Sequence, residues 1–393
     1  MHVVRLTSVF ECATPQQGRF DAVGGMQVHT ASLTRAFDGL GARQTVITAY
    51  RPEEPRRERI GELAVVYRVG APIGAMRQGW ASPALGRALA ASTVDIVHAH
   101  LGEDIAVLPV AAVAAVRHRA PLVVTVHASP WLTVEPVDLR AGAIHTLGGA
   151  VERWILPSAS RVLTLTERTA GLLRPHLPPD VVDVIPLGID VSGFAAGAAD
   201  PLPEIGHPRV VCAARLVRAK GVDVLIRAMA KLPTAELVVL GDGPERAALL
   251  VLATELGDRV HMPGTVPKHE VLAHLAHADV AVLPSRYEEA GRWIIEAMAA
   301  GTAVVASRVG GIPAIIRDGV NGLLVPPGDP LALASAIGHA ISEPALARTL
   351  VANGRVTAST HSLDRLTDRV MLAYDAVLRS GRGGLVDRPQ LSA

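Results

Sequence analysis

Cysteine is scarce in this sequence, and that scarcity argues against two kinds of architecture. Only Cys12 and Cys212 occur among 393 residues, and they lie far apart along the chain. A disulfide framework or a zinc site is therefore not expected, and a reducing cytoplasm is the expected compartment.

The sequence also lacks an excess of charge of one sign and a long hydrophobic run. Its 38 basic and 37 acidic residues give a net charge of +1, which offers no electrostatic basis for binding nucleic acid or an anionic membrane. The N-terminus, MHVVRLTSVF, does not have the apolar run of a signal peptide. The most apolar stretch, Ala106 to Val116, contains Pro109 and is too short to span a bilayer. We therefore expect no stable membrane insertion and no nucleic-acid partner.

What the sequence does contain is a repeated alternation of strand-like and helix-like segments. Hydrophobic residues make up 49% of the chain and charged residues 19%, as in a globular protein. The alternation predicts an α/β fold with parallel sheets covered by helices on both faces.

The alternation is interrupted once, which predicts two domains. The first covers residues 1–190, a linker rich in proline and glycine covers 191–207, and the second domain covers 208–360. A helix is predicted at 361–380, with packing back on the first domain as one option, and a disordered tail at 381–393.

The segment from Ala281 to Gly311 predicts a strand, a loop, a helix and a second strand. Glu288 lies in the predicted loop and Glu296 in the predicted helix, at the strand edge where open α/β sheets bind ligands. On one helix their Cα atoms would be ~12 Å apart, whereas a glycosidase pair needs its carboxyl groups roughly 5–9.5 Å apart. The two carboxylates are thus expected to contact different parts of one extended ligand; solvated surface charges are the alternative.

Three further groups are candidates for ligand binding. Gly24 and Gly25 precede a helix, where glycine lets the backbone approach a phosphate or sugar closely. His127 ends a strand and can hydrogen-bond a substrate hydroxyl there, while His98 and His100, which end the preceding strand, are weaker candidates. The alternatives are a plain turn for the glycines and interior histidines for the others.

A pair of basic residues follows the first strand of the second domain. Arg215 and Lys220 share one loop and are suited to a diphosphate, because Arg can bind two oxygens at once and Lys supplies a point charge. A solvated basic loop is the alternative. The segment Gly241-Asp242-Gly243-Pro244 begins like a dinucleotide fingerprint but has Arg246 in place of the third glycine, so it predicts NAD binding only weakly.

Taken together, these segments resemble the retaining, nucleotide-sugar-dependent glycosyltransferases of family 4, over almost the whole chain. The most specific part runs from Glu288 to Glu296 and on through AMAAGTAVVASRVGGIPAII and DGVNGLLVPPGD, supported by ARLVRAKG, VVLGDGPER and PGTVP. The segments FDAVGGMQV, AVERW and TLTERTA look like those of glycosyltransferases of aminoglycoside antibiotic assembly. The resemblance implies the GT-B fold, with two Rossmann-like doubly wound domains facing each other across a cleft.

The resemblance also implies roles for individual residues. The residues matching Arg215 and Lys220 hold the donor diphosphate, with backbone donors from Gly24 and Gly25. The residue matching Glu296 binds the nucleotide ribose.

Closer to the reacting carbon, the resemblance implies that Glu288 and His127 contact the donor sugar. Backbone near Val266 contacts the base, and backbone amides of Ala290, Gly291 and Arg292 meet the sugar or phosphate. Here the sequence departs from the family, which usually has Pro-Phe-Gly after the first Glu where this chain has Glu289-Ala290-Gly291; Arg292 and Trp293 also stand where the aminoglycoside relatives tend to have small residues.

The function implied is retaining transfer of a hexose or pentose from a UDP-sugar, first UDP-N-acetylglucosamine, to a hydroxyl of an aminocyclitol such as 2-deoxystreptamine or paromamine. Alternatives are UDP-glucose or UDP-xylose with another small-molecule or glycan acceptor, and an epimerase or hydrolase on the same fold. A catalytically silent sugar-nucleotide-binding partner protein is an alternative of another class. No cofactor or metal is expected, because the cationic side chains and the helix N-terminus at Gly291 can stabilise the departing diphosphate.

Overall fold

The computed structural model describes residues 1–11, 25–52, 54–71, 77–102, 104–133, 139–190 and 199–380. Gly24, residues 191–198 of the predicted linker and the predicted tail at 381–393 lie outside these residues. The described chain forms two compact units. Of the described residues, unit 1 contains those in 1–11, 25–188 and 363–380, and unit 2 contains 189–190 and 199–362.

Strands and helices alternate through both units. The strands are β1 (His2–Thr7), β2 (Arg43–Ala49), β3 (Arg57–Ile60), β4 (Ala64–Val69), β5 (Ile96–Leu101), β6 (Leu122–Val126), β7 (Arg161–Thr164), β8 (Val182–Val184), β9 (Arg209–Ala213), β10 (Glu236–Leu240), β11 (Val260–Gly264), β12 (Val280–Leu283), β13 (Ala303–Ser307) and β14 (Leu323–Val325). The helices are α1 (Gly25–Gly39), α2 (Ala81–Leu89), α3 (Val107–His118), α4 (Leu139–Ala143), α5 (Gly149–Ile155), α6 (Glu167–Leu173), α7 (Val222–Met229), α8 (Arg246–Ala253), α9 (Lys268–Ala276), α10 (Arg292–Ala300), α11 (Ile312–Ile315), α12 (Pro330–Ser342), α13 (Pro344–Ser359) and α14 (Leu363–Arg379). Short 3-10 turns occur at Arg77–Trp80, Leu156–Ser158, Arg174–His176, Arg218–Lys220 and Thr254–Arg259, and a π turn at Ile144–Gly148.

Unit 1 is built on a sheet with strand order β3-β4-β2-β1-β5-β6-β7-β8, in which β3 alone is antiparallel to its neighbour within the described residues. Every residue of the central strands β1, β5 and β6 is buried, because helices cover both faces of the sheet. Alternate residues of β1 serve different faces: Val4 and Leu6 join the core under α3, whereas Val3 joins the core with Phe37 of α1.

The C-terminal helix α14 belongs to unit 1 and completes the second of these two cores. Leu366, Val370 and Tyr374 pack with Val3 and Phe37, and the rings of Phe37 and Tyr374 stack at 5.5 Å. These buried side chains recur every four residues, so one face of the helix closes the sheet.

Unit 2 is built on a parallel sheet with strand order β11-β10-β9-β12-β13-β14. Its strands also alternate between two cores, with Val282 on one face and Ala281 and Leu283 on the other. Residues 199–207, inside the predicted linker, pack on this unit: Ile205 is buried, and the buried Arg209 donates to the carbonyl oxygens of Leu202 at 3.0 Å and Ile205 at 2.6 Å.

Both sheets contain a point where the strand order reverses. In unit 2, β9 lies between β10 and β12, and in unit 1, β1 lies between β2 and β5. At such a point the loops leave the sheet in opposite directions, and the gap between them at the carboxyl ends of the strands can hold a ligand. None of the helices in the described parts combines the length and apolarity needed to cross a bilayer.

The packing of α14 can be tested with two substitutions on the same helix. Leu366 is 3% exposed and Leu372 is 63% exposed. We expect Leu366→Ala to lower the free energy of unfolding by about 2–5 kcal/mol, because it leaves a cavity in the core, and Leu372→Ala to change it by less than about 0.5 kcal/mol. Urea unfolding followed by circular dichroism measures both, and equal effects of the two substitutions would contradict this account of the helix.

Candidate functional site

In unit 2, the predicted ligand-binding side chains come from loops at the point where the strand order reverses. Lys220 lies in the loop after β9, and Glu288 lies in the loop after β12, the neighbouring strand. The Lys220 ammonium lies 2.6 Å from the Glu288 carboxylate, and both side chains are partly buried. The two residues are 68 positions apart in sequence, so the sheet topology brings them together.

Backbone contacts hold these two loops against each other. The backbone N–H groups of Arg286 and Tyr287 donate to the carbonyl oxygen of Ala219 at 2.8 and 3.2 Å. Gly221 has a φ of +64°, and a Cβ there would overlap the carbonyl oxygen of Pro284. Only glycine adopts this backbone conformation without strain and also leaves the space free.

A bidentate ion pair reinforces the same junction. The Arg286 guanidinium donates to both carboxylate oxygens of Asp223, at 2.7 and 2.8 Å, and to the carbonyl oxygen of Arg218 at 3.0 Å. The hydrogen bonds from Arg286 lower the pKa of Asp223 below its usual value. The Lys220 loop is thus anchored on both sides of the lysine.

Glu288 is positioned by the turn after β13. The backbone N–H of Gly311 donates to the Glu288 carbonyl oxygen at 3.1 Å. Gly310, with a φ of +52°, lies so close that a Cβ would overlap the same oxygen. The Glu288 loop therefore contacts the segments that follow β9 and β13.

The second predicted carboxylate, Glu296, lies in the second turn of α10 and faces its N-terminus. The Nε atom of Arg292 donates to Glu296 Oε1 at 3.0 Å, and Lys268 Nζ lies 4.0 Å from the same oxygen. Both Arg292 and Glu296 have side chains only about a tenth exposed, 10% and 11%. The resemblance implies a backbone role for Arg292, and the structure adds a side chain that fixes the orientation of this carboxylate.

The remaining predicted residues of unit 2 lie at the same edge of the sheet. Arg215 is exposed on the loop that carries Lys220, and Val266 follows β11 as a half-buried residue. Ala290 and Gly291 immediately precede α10, whose N-terminus carries a partial positive charge. Together, these residues can bind an anion through Lys220 and the N-terminus of α10. The carboxylates of Glu288 and Glu296 can accept hydrogen bonds from hydroxyl groups.

In unit 1, the predicted residue His127 follows β6 and is half-buried. Its Nε2 atom lies 3.1 Å from Nδ1 of His100, which lies in β5. Burial lowers the pKa of His127 to about 3, and burial together with the neighbouring basic groups holds the pKa of His100 well below its usual value. Both imidazoles are therefore neutral at pH 7 and can each donate one hydrogen bond and accept another.

His98 has a different environment from His127. It is fully buried, with Nδ1 2.6 Å from the hydroxyl of Tyr374 on α14 and Nε2 2.8 Å from the hydroxyl of Thr125. Both ring nitrogens have partners within unit 1, so His98 holds the helix and the sheet together, as an interior histidine does.

The sequence patterns do not identify His29, which lies on α1 and reaches the same edge of the sheet. Its ring centroid lies 4.9 Å from that of His127 and 5.9 Å from that of His100. Gly25 is the first residue of α1 and is exposed. The sequence signal for His29 was its place one turn after the Gly24-Gly25 pair, although helical position alone does not show which side chains meet across a sheet.

Comparison with known proteins gives matches over both units. Residues 23–192 match the family model described as Glycosyltransferase Family 4, and residues 201–357 match Glycosyl transferases group 1. The chain is 33% identical over 349 residues to 2-deoxystreptamine glucosyltransferase of Streptomyces kanamyceticus, covering 81% of this chain and 90% of that protein. It is 33% identical over 422 residues to 2-deoxystreptamine N-acetyl-D-glucosaminyltransferase of Streptomyces fradiae, covering 98% of this chain and 99% of that protein.

A solved structure agrees in fold. Sucrose-phosphate synthase from Thermosynechococcus elongatus superimposes with a TM-score of 0.83 at 24% identity, covering 97% of this chain and 100% of that one. At this identity the likeness concerns the fold alone.

The contact between the Glu288 loop and the turn after β13 can be tested with a matched pair of glycines. Gly310 and Gly319 both have positive φ, +52° and +73°, but a Cβ at Gly319 would meet nothing within 4 Å. Each change to Ala introduces strain of about 1–3 kcal/mol. We expect Gly310→Ala to lower the free energy of unfolding further than Gly319→Ala, because only Gly310→Ala must also displace Glu288. Urea unfolding of both variants measures the difference, and equal losses would refute this contact.

Proposed function

Because the chain belongs to the glycosyltransferases of family 4, we propose that it transfers a sugar from a UDP-sugar to a hydroxyl of an aminocyclitol such as 2-deoxystreptamine or paromamine, with retention of configuration. UDP-N-acetylglucosamine is the first donor proposed, and UDP-glucose and UDP-xylose come next. The product would be an aminoglycoside, as in antibiotic biosynthesis.

Two predictions from the sequence are confirmed. The resemblance to family 4 and to the 2-deoxystreptamine glycosyltransferases is confirmed by the family matches and by relatives 33% identical over most of the chain. The GT-B fold class is confirmed by two doubly wound α/β units, one on each sheet, and by the superposition on sucrose-phosphate synthase.

The observation that carries the proposal is the contact between Lys220 and Glu288 at the switch point of unit 2. A nucleoside diphosphate gains negative charge as its bond to the sugar breaks, and an ammonium group fixed nearby stabilises that charge. The N-terminus of α10, at Ala290 and Gly291, adds backbone donors and a partial positive charge. Arg215 extends from the Lys220 loop and completes the proposed diphosphate site.

Donor binding would exchange the partners of this ion pair. The diphosphate competes with Glu288 for the Lys220 ammonium, because phosphate oxygens accept charge-assisted hydrogen bonds from lysine. Glu288 is then available to accept hydrogen bonds from hydroxyls of the donor sugar. The same carboxylate thus balances the lysine charge before binding and orients the sugar afterwards.

The nucleoside would be bound beside this pair. Glu296 accepts hydrogen bonds from the ribose hydroxyls, and Arg292, at 3.0 Å from Oε1, holds its carboxylate in one orientation. Backbone near Val266 is proposed to contact the base, and backbone donors of Gly24 and Gly25 the diphosphate, as the resemblance to family 4 implies.

The reaction would proceed on one face of the sugar. The acceptor oxygen forms its bond to the anomeric carbon as the bond to the diphosphate breaks, and the leaving phosphate oxygen takes the acceptor proton. His127 is neutral at pH 7, so it hydrogen-bonds a donor-sugar hydroxyl without adding a positive charge at the reaction centre. Arg215, Lys220 and the N-terminus of α10 supply the cationic stabilisation, so no metal is required in this mechanism.

The acceptor is proposed from the relatives. The two Streptomyces proteins act, by their names, on 2-deoxystreptamine, one with glucose and the other with N-acetylglucosamine. The second covers 98% of this chain, which favours UDP-N-acetylglucosamine as the first donor to test.

A panel of donors and acceptors tests the proposal directly. UDP-N-acetylglucosamine, UDP-glucose and UDP-xylose are each incubated with 2-deoxystreptamine and with paromamine, and products are read by mass spectrometry. We expect one pair to give the mass of one added sugar. No added mass with any pair would overturn the aminoglycoside assignment, and release of UDP without an acceptor would indicate a hydrolase instead.

The proposed role of Glu288 predicts that catalysis and nucleotide binding separate. We expect Glu288→Gln to lower kcat by about 100-fold or more, the size of effect seen when one group that stabilises a transition state is removed. Its affinity for UDP is expected to be unchanged or higher, because Lys220 loses its competing carboxylate. Steady-state kinetics and calorimetric UDP titration measure the two effects.

Glu255→Gln is the matched control, since Glu255 is exposed in the same unit, and it should alter neither quantity. If Glu288→Gln weakens UDP binding as much as it slows transfer, Glu288 contacts the nucleotide and the proposed exchange is wrong.

A further inference from the structure

Three histidines from separate elements of unit 1 converge at the carboxyl edge of its sheet. His29 lies on α1, His100 in β5 and His127 directly after β6. One nitrogen from each ring can be chosen so that all three lie within 4.8 Å of one another. The three residues lie up to 98 positions apart in sequence. The scarcity of cysteine, from which no zinc site was expected, gives no information about a site made of histidines.

The protein holds the ring of His100 and the backbone of His127 in position. His100 lies opposite Thr125 of β6 in the parallel register, and its ring stacks on that of His98 at 4.4 Å. His98 is in turn hydrogen-bonded by Tyr374 and Thr125. The backbone N–H of His127 donates to the carbonyl oxygen of Leu101 at 2.8 Å, which fixes the strand end that carries it.

The spacing of the nitrogens suits a tetrahedral metal ion. Zinc binds imidazole nitrogen at about 2.0–2.1 Å, so two ligands of a tetrahedral site lie about 3.3 Å apart. His100 Nδ1 and His127 Nε2 are already 3.1 Å apart. Bringing the third nitrogen from at most 4.8 Å to that spacing needs a ring movement on the order of 1.5 Å.

We propose that His29, His100 and His127 bind a divalent transition-metal ion of the zinc class, with a water molecule as the fourth ligand. Imidazole suits zinc, cobalt and copper, whereas magnesium and calcium prefer oxygen ligands. His29 and His100 are buried and His127 is half-buried, so the ion would enter from the side of His127.

The bound metal ion would regulate sugar transfer rather than act as a cofactor in it. This consequence depends on the proposed function: His127 cannot hydrogen-bond the donor sugar through a nitrogen that binds a metal. Occupancy is therefore expected to inhibit transfer. Metal binding itself requires no donor or acceptor and can be measured separately.

The test uses the full chain after removal of metals with EDTA. Titration with Co²⁺ is expected to produce the visible absorption of a tetrahedral ion, saturating at one ion per chain, and Zn²⁺ is expected to displace it. In His29→Gln the metal affinity should fall at least about 10-fold, since even the loss of outer-shell partners has that effect. His339→Ala, which removes an exposed histidine on α12, is the matched control and should bind as the original chain does.

Circular dichroism of the metal-free proteins checks that His29→Gln is folded; should it not be, His127→Ala at the half-buried position takes its place. Absence of saturable Co²⁺ binding, or equal binding by the original chain and a folded cluster variant, would overturn the proposal and leave His100 and His127 as a hydrogen-bonded pair.

If the metal binds but Zn²⁺ does not slow transfer by an active enzyme, the metal site stands and the inhibitory role is wrong. If no transfer is found, metal binding still decides the proposal, so its failure is distinguishable from that of the proposed function.

Discussion

The reversal of strand order in a parallel sheet is the constraint on which the rest of this structure depends. In unit 2, the chain moves from β9 outward through β10 and β11, then returns to add β12 on the opposite side of β9. The loops after β9 and β12 therefore leave in different directions, and no crossover helix fills the space between them. Lys220 and Glu288 occupy these two loops, so a pairing across 68 residues follows from the order of the strands. In unit 1, by contrast, His100 and His127 meet because β5 and β6 are consecutive strands that pair directly in parallel.

Local sequence patterns predicted the location of several candidate residues because those locations depend on short-range structure. An apolar run ended by proline places Glu288 just beyond a buried strand, and the helical pattern bounded by Gly291 and Gly301 places Glu296 in a helix. His127 follows the apolar run of β6 for the same reason. Strand ends can be read from a sequence in this way because burial requires apolar side chains and the chain must turn where they stop.

Partnerships between side chains could not be read in the same way. Nothing in the sequence near Lys220 shows that its partner is Glu288, because that contact depends on which strands are neighbours. Arg292 was interpreted as a backbone contact, whereas its side chain lies one helical turn from Glu296 and binds it. His29 was overlooked because its position on α1 has meaning only when the helix is placed against the ends of β5 and β6. For Lys220 and His29, tertiary packing decides which polar groups meet, whereas the Arg292–Glu296 pair is local to α10 and follows from its i,i+4 spacing.

The two units handle charge in opposite ways, and the difference has a physical cause. Neutral imidazoles suit the buried edge of unit 1, because desolvation disfavours the charged form and lowers the pKa of His100 and His127. Unit 2 keeps an ammonium group partly buried, and this is tolerable because Glu288 lies 2.6 Å away and balances its charge. In the proposed reaction, the donor diphosphate takes the place of that carboxylate. The ion pair holds the Lys220 ammonium in position in the free protein, so under this proposal little reorganisation is needed when negative charge develops beside it.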